Sequence, residues 1–442
     1  MADLIFLISV FGIFILLLLS GLYIHSVLFT IGIFGLVFLK GFPILKGFLG
    51  SVPIDSTASY TLSTIPLFVI MAQFIIKADI VKDIFAIVHK LSRGRSALLG
   101  ILTIISGGFL GAVSGSGTAT ASALGQAAVP ELRKYGYKSD LAGAIAATGG
   151  SLSSIIPPSI GLILYGIVTE TPIGDLFIGA VFPGIILVFS FCVILYYFYR
   201  RENIQDFKKS ELTNNTFLKE QNISAYRMTI SVVVGLFIII VIFGGIYFGF
   251  MTPTEAGGVG AFASFIAALL LGKVNKMFLK ETITETIQVN GMVMAIFIGA
   301  NIFGKFISLS LLPRKLVNLT DPLLDYPFLI LIILAIVFYI MFMFIEAAAV
   351  ILMAMPVMIP IVENTGYSIL WFGVFTAVMA TIGMITPPVG LSVYGVSGPT
   401  KIPASSVFRY TTFFALIAGL IMTIILIIFP ELVLWLPTKM ED

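Results

Sequence analysis

Two clusters in this 442-residue chain have residue types and spacing suited to holding a hard cation. In the first, Ser114-Gly115-Ser116-Gly117-Thr118, hydroxyls alternate with glycines. Glycine admits unusual backbone angles and close approach, so such a turn can aim carbonyl and hydroxyl oxygens at one point. The second cluster comprises Gly149-Gly150-Ser151, Ser153-Ser154 and Pro157-Pro158-Ser159. Paired prolines remove two amide donors and disfavour helix at the preceding residue, which leaves an unwound stretch between two half-helices. The first half-helix turns a negative end toward a cation, and the second turns a positive end toward a carboxylate. The bland alternatives are a small-residue packing turn at 114–118 and a purely mechanical kink at 157–158.

Both clusters recur. At an offset of 230 residues Pro130 is answered by Pro360, Gly136-Tyr137 by Gly366-Tyr367, and Pro157-Pro158 by Pro387-Pro388. With one residue deleted, Gly161 answers Gly390 and Tyr165-Gly166 answers Tyr394-Gly395. Glu346 is the counterpart of Ser116 and the only acid in the apolar run from Phe328 to Met355. An ionised carboxylate in such a run needs a partner or an ion-lined cavity; the alternative is a protonated or hydrogen-bonded structural acid. The matching break is Thr381, Gly383, Thr386-Pro387-Pro388 and Gly390, where Thr386 replaces Ile156, so two ion sites here need not be chemically identical. Duplicated helix breaks in an apolar chain point to an ion and substrate site near the bilayer midplane.

The elements that position these residues follow from composition. At 59% hydrophobic and 11% charged, with a mean hydropathy of +1.11, the chain has more apolar surface than one soluble core can hide. An all-α polytopic membrane protein is expected. Its crossings are placed at 3–20, 22–40, 62–78, 139–169, 175–199, 227–249, 254–272, 284–304, 369–399 and 406–429. Two re-entrant hairpins, 96–130 and 326–362, have arms expected to be too short to span comfortably. The domains read as 1–61, N-terminal scaffold helices with an interfacial arm; 62–199, a first repeat; 200–226, a polar linker; 227–283, scaffold; 284–405, a second repeat; and 406–442, a C-terminal scaffold helix. The first apolar run lacks a basic leader and a small-residue cleavage site and is read as a retained span.

With the linker cytoplasmic, only Lys40, Lys46, Lys305, Arg314, Lys315 and Lys439 of the 25 basic residues fall outside, as the positive-inside rule requires. Five crossings separate the hairpins, so they open to opposite sides and the repeats are inverted. A single cysteine, Cys192, excludes a disulfide within the chain, and two scattered histidines do not make a metal site. No paired intramembrane aspartates, Ser-His dyad or zinc motif supports an intramembrane enzyme.

The runs GAVSGSGTATASALGQAAVPELRKYGY, GGSLSSIIPPSIGLILYG and ITPPVGLSVYG, with MTPTEAG at 251–257, resemble the large membrane subunit of the tripartite ATP-independent periplasmic (TRAP) transporters. The resemblance spans essentially the whole chain. It implies an ion-transporter-superfamily fold of elevator type in the bacterial inner membrane, and Na+-driven uptake of a small organic anion such as a sialic acid or C4-dicarboxylate. It also implies two partners, a separate small membrane subunit and a periplasmic substrate-binding protein. On this resemblance sodium falls to Ser114, Gly115, Ser116, Gly149, Pro157, Glu346, Thr386 and Pro387. The substrate falls to Thr118, Ser151, Ser153, Pro158, Ser159, Thr381 and Gly390, and docking of the binding protein to Arg314, Lys315, Asp321 and Asp325. The family more often has Asp where this chain has Glu346, and the extra methylene shifts the carboxylate. A stand-alone sodium or proton symporter of the same superfamily is the alternative.

Overall fold

The computed structural model describes residues 9–10, 12–14, 16–18, 20–204 and 224–441, and its regular elements there are all helical. Most of the expected 200–226 linker, residues 205–223, lies outside the described residues, as does the start of the expected 3–20 span. Counting Ile173–Arg201 as one, eight helices among the described residues are long and apolar enough to cross a membrane.

Four early helices frame the site from outside: α1 (Ile24–Lys40), α2 (Pro43–Thr57), α3 (Thr64–Lys77) and α4 (Ile80–Ser92). The expected interfacial arm is thus helical, with Pro53 inside α2. The short α4 buries Ile80, Val81, Ile84, Phe85 and Val88, the three-and-four spacing of a one-sided helix. Asp79 turns the chain between α3 and α4 in the left-handed region, at φ 63°.

Two helix–turn–helix units and two broken helices follow. The first unit is α5 (Ser96–Ser114) and α6 (Gly117–Lys134); its broken helix is α7 (Ser139–Ser151), a 3-10 turn at Leu152–Ser154, and α8 (Ile160–Thr169). After α9 (Ile173–Gly179) and α10 (Val181–Arg201) come α11 (Ala225–Tyr247), α12 (Pro253–Leu270) and α13 (Lys276–Leu309). The MTPTEAG run proves to be the start of α12. The Thr252 hydroxyl accepts from the Glu255 amide at 3.3 Å while the Glu255 carboxylate accepts from the Thr252 amide at 2.8 Å. This reciprocal cap, with Pro253 in the first turn, satisfies donors that a helix start otherwise leaves open.

Leu311, at φ 57°, then repeats the left-handed corner of Asp79 and leads into α14 (Leu312–Thr320). Arg314 and Lys315 lie on α14; Asp321 opens the 3-10 turn after it. The second unit is α15 (Pro327–Phe344) and α16 (Ala347–Asn364), followed by the broken pair α17 (Ile369–Gly383) and α18 (Leu391–Thr400), then α19 (Ala404–Ile428) and α20 (Glu431–Glu441).

The arms are longer than the sequence led us to expect. α5 has 19 residues and α6, α15 and α16 have 18 each. At 1.5 Å per residue 18 residues reach about 27 Å, and both arms of the second unit are long and apolar enough to cross a membrane. Pro130, Pro356 and Pro360 are accommodated inside these helices.

Packing brings the two units to one place. α5 lies on α7 and α15 on α17, while α6 packs against α18 and α16 against α8. Each unit therefore rests on its own broken helix and on the other unit's second half-helix. Contact between α5 and α7 is close enough that a Cβ on Gly107 would stand 2.5 Å from the Gly149 Cα. Opposite them, α3 and α13 pack together, and the α3–α4 corner is tied to its neighbours by ion pairs. Lys77 meets Glu281 at 3.0 Å and Glu285 at 2.7 Å, and Asp79 meets Lys273 at 2.6 Å. Buried Asp83 accepts from Arg227 at 3.1 Å and from the Ser231 hydroxyl at 2.9 Å. Burial raises the Asp79 carboxyl, but hydrogen bonds from Lys273 and Lys82 outweigh it and hold the pKa below the usual carboxylate value.

Candidate functional site

The first turn is closed by its own hydroxyls. Gly115 takes φ 62°, which lets the chain reverse between α5 and α6 without a Cβ clash. Ser114 and Thr120 share a hydroxyl–hydroxyl hydrogen bond, and the Thr120 hydroxyl also donates to the Ser116 carbonyl at 2.9 Å. Ser116 caps α6, accepting from the Ala119 amide at 3.4 Å. At the second turn Ile345 and Glu346 are extended, and the Glu346 carbonyl starts α16 by accepting from the Ala349 and Val350 amides, each at 3.1 Å.

Both turns face one cavity of about 140 Å³. Ser114, Gly115, Ser116 and Thr118 line it from the first turn, Glu346 and Ala347 from the second, Ser154 and Ser159 from the first break, and Met384 from the second. Gln73 of α3 and Val289, Met292 and Val293 of α13 form the facing wall. Glu346 is surrounded by helices, yet its own surface is open because it faces this cavity. It is the only ionisable side chain in the lining.

Six expected site residues, Ser114, Gly115, Ser116, Thr118, Ser159 and Glu346, thus meet at one cavity, and nine do not line it. Gly149 serves the contact between α5 and α7. The hydroxyls of Ser151, Thr381 and Thr386 donate to carbonyls of their own helices, Thr148, Ala377 and Ile382, at 2.9, 2.8 and 2.8 Å. Thr386 also donates to the Tyr339 hydroxyl at 3.2 Å. Ser153 is fully buried behind the first turn, with no hydrogen-bond partner for its hydroxyl among the described residues. Pro157-Pro158 and Pro387-Pro388 form the two breaks, both with a cis bond. Gly390 closes the second break, its amide donating to the Met343 carbonyl at 3.2 Å and its φ at 52°.

Two lining residues with side chains able to interact with a ligand, Gln73 and Met384, were not singled out in the sequence. Gln73 carries a buried carbonyl oxygen without a partner among the described residues; the signal was a lone amide in the apolar 62–78 run. Met384 had none, since methionine in an apolar run reads as packing. The Ser154 hydroxyl donates to the Met384 sulfur at 3.2 Å. These residues are 230 apart, the offset of the sequence repeat, so the two breaks touch at corresponding positions.

The arrangement sets the hydroxyl-bearing residues of the first turn and first break and one carboxylate around a small cavity whose other lining residues are mostly apolar and include no basic group. It can hold cations, and an anion only together with them. Comparison with known proteins places the chain among transporter permeases. Relatives include the sialic acid TRAP transporter large permease SiaM of Vibrio cholerae, 28% identical over 382 residues covering 86% of each chain. Another is the C4-dicarboxylate large permease DctM of Pseudomonas aeruginosa, 29% identical over 384 residues, 87% of this chain and 86% of that one. The 2,3-diketo-L-gulonate large permease YiaN of Escherichia coli is 27% identical over 387 residues, 87% and 88% of the two chains. Among solved structures, the YdaH transporter of Alcanivorax borkumensis aligns with a TM-score of 0.63 at 13% identity, covering 88% of this chain and 87% of that one, a likeness of fold alone. The model of the tripartite ATP-independent periplasmic transporter DctM component matches residues 11–432, and the chain belongs to that family.

Proposed function

We propose that this chain is the large permease of a sodium-coupled system for uptake of a small organic carboxylate. The observation that carries the reading is the single cavity onto which both turns and both breaks open, with Glu346 its only ionisable lining residue. A substrate carboxylate there meets no arginine or lysine, so its charge must be offset by cations that travel with it. Hydroxyl and carbonyl oxygens suit Na+, supplied by Ser114, Gly115 and Ser116 on one side and by Glu346 on the other. Gly149, Pro157, Thr386 and Pro387 shape the breaks behind those ions. Thr118 and Ser159 are the substrate donors nearest the cavity. Net positive charge moving inward gains about 2.3 kcal/mol per charge per 100 mV, which helps drive uptake.

Alternating access follows if the two halves are inverted repeats with re-entrant hairpins. The reciprocal packing of α6 on α18 and α16 on α8, and the contact of Ser154 with Met384, support a two-fold relation in the membrane plane. In an elevator, α5–α8 and α15–α18 move together against α1, α3 and α11–α13. The substrates for which these relatives are named, sialic acid, C4-dicarboxylates and 2,3-diketo-L-gulonate, support an organic acid as cargo. Partners are a small membrane subunit and a binding protein docking on the outer face of an inner membrane, near Arg314, Lys315, Asp321 and Asp325.

Reconstitution with both partners tests this. Uptake should require sodium and fail when potassium replaces it. Uptake that follows only a proton gradient overturns the sodium coupling, and robust uptake by this chain alone overturns the tripartite assembly in favour of a stand-alone symporter.

A further inference from the structure

A second, larger cavity of about 490 Å³ lies farther along α13. Its α13 wall is Phe297, Asn301, Lys305 and Ser308, spaced four, four and three, so all four share one face. Val293, one turn before Phe297 on that face, walls the central cavity. One helix face therefore passes both chambers, with Val293 and Phe297 between them. Opposite stand Thr169 and Glu170 at the end of α8, and Leu352 and Met355 of α16 complete the chamber. Lys305 lies about 43 Å along α13 from Lys276, at the end away from the basic corner, which is the outer end in the orientation given by the basic residues.

This chamber has what the central one lacks. Asn301, Lys305 and Ser308 are exposed although α13 is apolar enough to cross a membrane. The Lys305 ammonium rests 5.5 Å from the Phe48 ring centre, and among the described residues neither it nor Glu170 forms an ion pair. Asn301 uses one amide hydrogen on the Phe297 carbonyl at 2.9 Å and keeps a second. One wall thus offers an ammonium, an amide and a hydroxyl, and the other a carboxylate.

We propose that this second cavity is an outer binding site for a carboxylate that also carries hydrogen-bond donors, such as a sugar acid or a zwitterion. The proposal rests on the uptake reading above. The ligand's carboxylate lies on Lys305, Asn301 and Ser308, and its hydroxyls or ammonium donate to Glu170. A dicarboxylate would set its second negative charge against Glu170 and is disfavoured. Because Lys305 supplies the positive charge, binding here needs no sodium, unlike binding in the central cavity.

The test uses the full chain with its partners in proteoliposomes, Cys192 replaced by serine, and a thiol introduced by Ser308→Cys or, as a second probe, Asn301→Cys. Labelling by a membrane-impermeant thiol reagent is followed with gluconate or succinate added, with and without sodium. We expect gluconate to protect either thiol regardless of sodium and succinate to protect less. Lys305→Gln should raise the half-protecting gluconate concentration by about tenfold, the worth of one charge-assisted hydrogen bond, and Glu170→Gln should improve protection by succinate. Failure of both thiols to label from outside, equal protection by the two acids, or protection unchanged by Lys305→Gln overturns the proposal. A Thr118→Cys probe reports on the central cavity separately. Sodium-independent protection there defeats the coupling reading while leaving the outer site standing.

Discussion

The two helix–turn–helix units reach the same cavity with opposite chemistry. The first turn is uncharged and complete in itself: Ser114, Ser116 and Thr120 bond one another, and Gly115 sets the reversal. The second is apolar except for one carboxylate, Glu346, whose carbonyl starts a helix while its side chain faces open space. The first turn is thus held by hydroxyl bonds of its own, and the second by backbone bonds alone at its helix start. The cavity therefore has a hydroxyl-closed turn on one side and a carboxylate on the other.

If that contrast is real, the largest effect comes from the second turn. Glu346→Gln keeps shape and removes charge, and should lower sodium-dependent uptake by about 100-fold, as loss of roughly 3 kcal/mol of charge-assisted bonding implies. The variant should purify and melt like the parent; wild-type sodium dependence would assign Glu346 a structural role.

Next is Gly115→Ala, which forces a Cβ into the left-handed region at a cost of about 1–2 kcal/mol and 3.2 Å from Ile160. Uptake should fall by about tenfold with a lowered melting temperature, because the cradle is distorted. Unchanged melting would mean that the first turn is not held as rigidly as its bonding implies. Thr120→Val removes the hydroxyl that bonds both Ser114 and the Ser116 carbonyl, at a net cost of about 1 kcal/mol, and should raise the sodium concentration for half-maximal uptake by roughly fivefold.

The smallest effect concerns the support of the first unit. The Asp79 carboxyl, held below its ordinary pKa, contributes stability that is present above the unfolded value near ~4 and is lost as pH falls through the lower folded value. Acidifying from about pH 5 to pH 3 should therefore lower the melting temperature of the parent more than that of Lys273→Gln. Equal slopes would remove the α3–α4 corner from the account.

The breaks and the first turn were legible in the sequence because proline and glycine act through the backbone, whereas the second turn was marked only by Glu346 in an apolar run. Residues 155–159 and 385–390 are unwound as their prolines require. Membership of the cavity was less legible. Gly149 and Ser153 are near the first break in sequence, yet one serves helix contact and the other lies behind the tip of the first turn. Which way a side chain faces is settled by packing, and the spacing of small residues is the same in either case. The extent of α13 was hidden for another reason. Its first turns carry Lys280, Glu281 and Glu285, which end an apolar run but continue a helix because Lys77 pairs with both acids. Gln73 was overlooked since one amide scarcely changes the character of an apolar run.

The contact between Ser154 and Met384 has a consequence for how much the two halves can diverge. Had this centre been built from two identical halves meeting at that point, a hydroxyl would face a hydroxyl or a thioether a thioether. A single continuous chain is under no such constraint. It can set a donor against a soft acceptor at the crossing point, and one substitution there alters the seam without being repeated across it.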